Sequence, residues 1–126
     1  MGRDASVTLA WADGNYTFRL AWGELIELQE QCDAGPYVVL GRLSQGAWKM
    51  QDISETLRLG LIGGGVEPAK ALTLVETYVK PRPPMENLQF ARGVLSLALL
   101  GPPPEKNGEP GEKPGEAEAA PETTSD

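Results

Sequence analysis

The sequence predicts an α+β fold: an N-terminal β-hairpin packed on four or five short α-helices, followed by a disordered C-terminal tail. Three observations carry this prediction. Two runs of alternating apolar and polar residues flank an Asp-Gly pair near the N-terminus. Apolar residues then recur at helical spacing from Trp22 to Leu99. Beyond Gly101 the only apolar side chains are three alanines.

The hairpin comes first. Val7, Leu9 and Trp11 alternate with Thr8 and Ala10, and Tyr16, Phe18 and Leu20 alternate with Thr17 and Arg19. Period 2 puts each set on one face of a strand, and Asp13-Gly14-Asn15 supplies turn chemistry between them. A lone hairpin is marginal in water, so it has to pack on something. Trp11 and Trp22 flank it and are expected to pack it against the first helix.

The period then changes. Leu25, Leu28 and Cys32 repeat at i, i+3 and i+7, with Trp22 and Ile26 beside them and Glu24, Glu27 and Glu30 elsewhere, which reads as an amphipathic helix. Gly35-Pro36 stops it, and Tyr37–Leu43 forms a short apolar helix ending near Gly46. Asp52-Ile53-Ser54-Glu55 reads as a capping box, with Asp52 as the cap and Glu55 folding back. Ile53, Leu57 and Leu61 form the stripe of that helix, which Gly63-Gly64-Gly65 ends. Pro68 opens a helix lined by Ala71, Leu72, Val75, Tyr78 and Val79, and Lys80-Pro81 closes it. Pro83-Pro84 precedes a last helix carrying Leu88, Ala91, Leu95, Ala98 and Leu99.

Composition divides the chain into a globular domain, 1–101, and a tail, 102–126. The tail holds seven acidic groups against two lysines, a balance of −5. The rest holds nine basic and eleven acidic residues, a balance of −2. Six of the eleven prolines lie beyond Gly101, so the tail lacks the apolar surface needed to offset its ordering entropy. About 100 residues suffice for a core without disulfides or metals. No clustered Lys/Arg points to direct nucleic-acid binding. No apolar run approaches the roughly 20 residues of a membrane span, and no secretory apolar stretch follows Met1. With the single cysteine, Cys32, these features fit a cytoplasmic home.

The residues give no catalytic constellation. There is no histidine, which removes the commonest general base and transition-metal ligand. Cys32 sits on an apolar stripe and reads as a small core residue. Gly60-Leu61-Ile62-Gly63-Gly64-Gly65 lacks the preceding strand and following Lys-Ser or Lys-Thr of a phosphate loop, so it reads as a helix stop or a hinge. No cofactor and no metal are expected. The candidate partner-binding residues are Trp48, Arg58, Gly63, Gly64 and Gly65. Arg58 stands among Ile53, Leu57, Leu59 and Leu61; its stem either covers core with its head in water, or it is an interface arginine. Trp48 lies in a connecting segment, where both surface and core roles are open.

Several segments together resemble a known family. They are Ala12-Asp13-Gly14-Asn15-Tyr16-Thr17-Phe18-Arg19-Leu20, Trp22-Gly23-Glu24-Leu25-Ile26-Glu27-Leu28-Gln29, Gly35-Pro36 and Trp48-Lys49-Met50-Gln51-Asp52-Ile53. Leu57-Arg58-Leu59-Gly60-Leu61-Ile62-Gly63-Gly64-Gly65 and Ala71 through Val79 complete the set. Over about residues 11–101 the chain resembles the gene transfer agent family of phage-tail-related proteins, usually labelled phage tail tube protein. The resemblance implies a tail or tail-assembly component of a phage-like particle, made in a bacterial cytoplasm and able to be built into the particle. It implies other tail proteins as partners, and neither cofactor nor catalytic residue.

Tail tubes are rings whose subunit sheets join into a wall, whereas this pattern supplies one hairpin and mostly helices. The expectation is therefore a non-enzymatic, chaperone-like tail-assembly protein. The alternatives are a structural tail tube or tail-completion subunit, and a small regulatory adaptor acting through its acidic tail. Oligomeric state is not readable from the sequence.

Overall fold

The computed structural model describes residues 4–102. Strands β1 (Val7–Trp11) and β2 (Gly14–Phe18) form an antiparallel two-stranded sheet. Five helices follow: α1 (Trp22–Cys32), α2 (Pro36–Gln45), α3 (Met50–Gly63), α4 (Pro68–Tyr78) and α5 (Met85–Leu100). The expected hairpin-and-helix architecture is present, with five helices. The disorder expected of the tail falls on residues outside those described, Pro102 apart.

Helix α3 occupies the centre. It packs against α1, α2, α4 and α5 and touches β2. Its sequence is suited to that position, because Ile53, Thr56, Leu57, Leu59, Gly60 and Leu61 are all buried. Around it Phe18, Leu28, Leu43, Val75 and Leu95 complete one continuous apolar cluster. Helices α2 and α4 each begin on a proline, at a position whose N–H has no partner inside the helix.

Four sequence expectations are corrected in detail. The hairpin loop is Ala12-Asp13, one residue earlier than expected, with Gly14 and Asn15 already in β2. Of the two loop residues only Ala12 has positive φ, +58°, as the first central residue of a type II′ turn requires.

The cap of α3 is Lys49, not Asp52. Asp52 is the third helical residue, and its Oδ2 accepts from the Lys49 backbone N–H at 2.8 Å. Glu55 is turned away from the cap and holds Arg58 instead.

Trp22 does not join the hairpin to α1; it is 81% exposed. On α4, Leu72 is exposed and Leu74 takes the buried position.

The hairpin rests on the C-terminal end of α3. The Arg19 backbone N–H donates to the Gly60 carbonyl at 2.9 Å. At Gly63 an added Cβ would stand 1.9 Å from the Arg19 carbonyl oxygen, and at Gly64 1.9 Å from that of Thr17. Only glycine lets strand and helix backbones meet this closely. Gly65, at φ +114°, then reverses the chain: its N–H bonds Ile62 O and that of Val66 bonds Leu61 O, the paired bonds of a Schellman ending. The glycine run is thus a seat for the hairpin as well as a helix stop.

The far side of the hairpin is held by the last helix. Trp11 is buried, and its indole Nε1–H donates to Asn87 Oδ1 at 2.7 Å. Asn87 Nδ2 in turn donates to the Tyr78 carbonyl at 3.1 Å. The Trp11 ring meets Tyr16, Phe18 and Tyr78 edge-on, with centroids 5.5–6.4 Å apart.

Candidate partner-binding surface

The residues singled out from the sequence meet different surroundings. Trp48 is half-buried and packs against the core. Arg58 keeps about a fifth of its side chain exposed and holds both Glu55 oxygens, with Nη2 at 2.6 Å from Oε1. The hydrogen bonds that Arg58 donates to Glu55 stabilise its cation and raise its pKa above the usual value. Gly63 and Gly64 lie under the hairpin backbone, whereas Gly65 is open to solvent.

The strongest buried polar group is structural in geometry. Asp52 is wholly buried, and Arg42 binds it through two bonds, Nε to Oδ2 at 2.9 Å and Nη2 to Oδ1 at 2.7 Å. Arg42 Nη2 also donates to the Cys32 carbonyl at 3.3 Å, so the end of α1, the middle of α2 and the start of α3 are tied together. Cys32 lies beside this cluster. Burial, and then the nearby Asp52 carboxylate, push its thiol up to about 12, which leaves it protonated and a poor nucleophile at neutral pH. Among the described residues no three His, Cys, Asp or Glu side chains form a group able to hold a metal ion. No helix there is long and apolar enough to cross a membrane.

What the sequence reading missed is an exposed apolar face. Trp22 and Ile26 project from α1 and Tyr37 from α2, with Tyr37 72% exposed. Together with Leu25, Pro36 and Leu99 they line a shallow groove of about 290 Å³ that is almost wholly apolar. The signal was present in α1. Leu25, Leu28 and Cys32 share its inward stripe, while Trp22 and Ile26, four residues apart, lie to one side of it. A stripe too wide for one interface has a second face to cover.

Two other grooves are more ordinary. One, of about 500 Å³, lies between the hairpin loop and α5 and includes Tyr78, Arg82, Asn87 and Phe90, with the Arg82 guanidinium 5.3 Å from the Tyr78 ring centre. The other, of about 350 Å³, lies between the start of α3 and the end of α4 and includes Met50, Ile53 and Val79.

Fold and surface together define a small, mostly helical protein in which three large exposed side chains, Trp22, Ile26 and Tyr37, share one apolar face. The family is that of phage tail proteins: residues 4–101 match the family model described as "Phage tail tube protein, GTA-gp10", and the chain belongs to it. Neither a curated protein nor a solved structure matches the chain.

Proposed function

We propose that this chain is a non-enzymatic tail-assembly protein of a gene transfer agent or phage-like particle, made in the cytoplasm, which binds other tail proteins in the manner of a chaperone. The observation that carries this reading is the exposed apolar face of α1 and α2, on a protein with a single two-stranded sheet among the described residues. Contiguous exposed apolar surface of this kind marks interaction sites in folded proteins. A hairpin of two five-residue strands, the second already seated on α3, offers little material for a tube wall. Trp48, Arg58 and the exposed Gly65 remain accessory contact candidates, whereas Gly63 and Gly64 serve partners only through the hairpin they support.

Mass spectrometry of purified particles and a pull-down from particle-producing cells test the proposal together. The expected result is recovery of tail proteins in the pull-down and near-absence of this chain from mature particles. Stoichiometric amounts in the particle would instead establish a structural subunit. That second reading has its own support in the family's description and in β1, whose outer edge has no strand partner among the described residues. An adaptor acting through the acidic tail predicts that deleting residues 102–126 abolishes partner binding. The assembly reading predicts that binding persists.

A further inference from the structure

We propose that the groove formed by Trp22, Leu25, Ile26, Pro36, Tyr37 and Leu99 docks an amphipathic helix of a partner protein, with an apolar ridge and a basic flank. The proposal deepens the assembly reading, and rests on it only for the partner's source.

The secondary structure of the occupant follows from the backbone. The face is built from α1, α2 and the end of α5, whose interior N–H and C=O groups are already bonded within their helices. An extended peptide would find no strand edge to pair with and would bury its own backbone groups unsatisfied. A helix brings its backbone already bonded and offers side chains at matching spacing. Trp22 and Ile26, four residues apart on α1, form one of the ridges that helix pairs interdigitate. A groove of about 290 Å³ suits one or two large apolar side chains.

The occupant's charge follows from the flank. Glu30 lies one helical turn beyond Ile26, and Asp33 one turn beyond Gln29, which itself lines the groove. Both acidic residues are exposed, as is Glu27. Helix α1 carries no basic residue, and neither does α5 from Gly93 onward. On α2 the one cation, Arg42, is engaged by Asp52. Arg58, the nearest cation on α3, is engaged by Glu55, so that pair is neutral and leaves the excess acid in place. The carboxyl end of the α1 dipole adds negative potential beside Asp33.

The same charges disfavour the two occupants nearest to hand. The chain's own segment 102–126 leaves α5 beside this groove, yet it has no large apolar side chain and carries seven acidic groups. A second copy meeting this face through its own would bring the same carboxylates and no free cation. A partner with Lys or Arg beside its apolar ridge satisfies both features.

The test uses the full chain, ¹⁵N-labelled, and two synthetic helical peptides with the same leucine ridge, one flanked by lysine and the other by glutamate. The readout is the Trp22 indole N–H resonance, with the buried Trp11 indole as internal control. The expected result is a saturable shift at Trp22 with the lysine peptide. Its affinity should exceed that of the glutamate peptide by about tenfold or more, and should fall with added salt. Glu30→Lys with Asp33→Asn, both at exposed positions, should remove or invert the preference. Equal binding of both peptides overturns the charge argument. No Trp22 shift with either overturns the docking site, and a Trp22 shift that tracks protein concentration alone assigns the face to a second copy. Charge discrimination without any tail protein in the pull-down keeps this surface and removes the assembly role. Tail proteins in the pull-down without discrimination do the reverse.

Discussion

Replacing Gly63 by alanine tests the seat of the hairpin most directly. The new Cβ would stand 1.9 Å from the Arg19 carbonyl oxygen, and real Cβ atoms essentially never approach within 3.0 Å, so strand and helix must part by about 1.1 Å. The obstacle is backbone on both sides, not the flexible end of a side chain. Overpacking of this kind costs about 1–3 kcal/mol. Parting also weakens the Arg19 N–H bond to Gly60, whose net value is about 1 kcal/mol. Against this, alanine favours a helix over glycine by at most about 1 kcal/mol. The balance is a loss of roughly 1–3 kcal/mol, which lowers Tm by about 4–8 °C for each kcal/mol in a domain of this size. Gly93 is the control: it lies within α5, is exposed, and has nothing within 4 Å of an added Cβ. Gly93→Ala should therefore stabilise by about 0.5–1 kcal/mol. Urea denaturation followed by far-ultraviolet circular dichroism reads both changes as midpoint shifts at constant slope. A Gly63→Ala protein as stable as wild type, or a Gly93→Ala protein equally weakened, would refute the close-approach argument.

Four further outcomes are expected. Trp11→Phe keeps the ring but leaves Asn87 Oδ1 buried without its donor, and should cost about 1–3 kcal/mol in the same denaturation assay, whereas Trp22→Ser should change stability by less than about 0.5 kcal/mol. Asp52→Ala strands the Arg42 guanidinium; since Arg42 is about a fifth exposed and can rehydrate in part, the expected loss is about 2–4 kcal/mol, below that of a fully buried pair. Cys32 should resist thiol reagents in the native protein and react at once in denaturant. Its raised folded-state pKa contributes stability that is fully present below pH 9.0 and lost as pH rises towards about 12, so Cys32→Ala should flatten the pH dependence of the midpoint in that window. Removal of residues 103–126 should leave the denaturation midpoint unchanged, because the core formed among the described residues, from Trp11 to Leu95, lies before them.

Helix positions were legible because their signals are local. Pro36 and Pro68 open helices, Gly46, Gly65 and Gly101 take positive φ where helices end, and the stripes of α1, α3 and α5 repeat within a few turns. The hairpin register was not legible, for a definite reason. Centring the loop on Asp13-Gly14 pairs Leu9 with Phe18, whereas the observed loop pairs Leu9 with Tyr16 and Val7 with Phe18. The two alignments differ by two residues along β2, so the same side chains share a face in both, and alternation cannot choose between them. In the observed register Trp11 faces only Gly14, and its indole bonds Asn87 in α5. The cap of α3 was misplaced in a similar way. Asp52 satisfies the local rule for a cap, yet its carboxylate turns back to the Lys49 N–H and is held there by Arg42, ten residues earlier. The apolar face was hidden because covered and uncovered stripes share one composition. Trp22 reads as core until α1 is set against α3.

The bond between Trp11 and Asn87 joins residues 76 positions apart. The seat for β2 likewise lies in the glycine run of α3, about 45 residues beyond the strand it supports. A ribosome therefore releases the hairpin long before either surface that holds it exists. Until α3 emerges both hairpin edges are open, and until α5 emerges the Trp11 indole has no acceptor. The hairpin, made before α1–α5, is thus among the last of these elements to be secured, and β1 is exposed to foreign strands while the helices are being made.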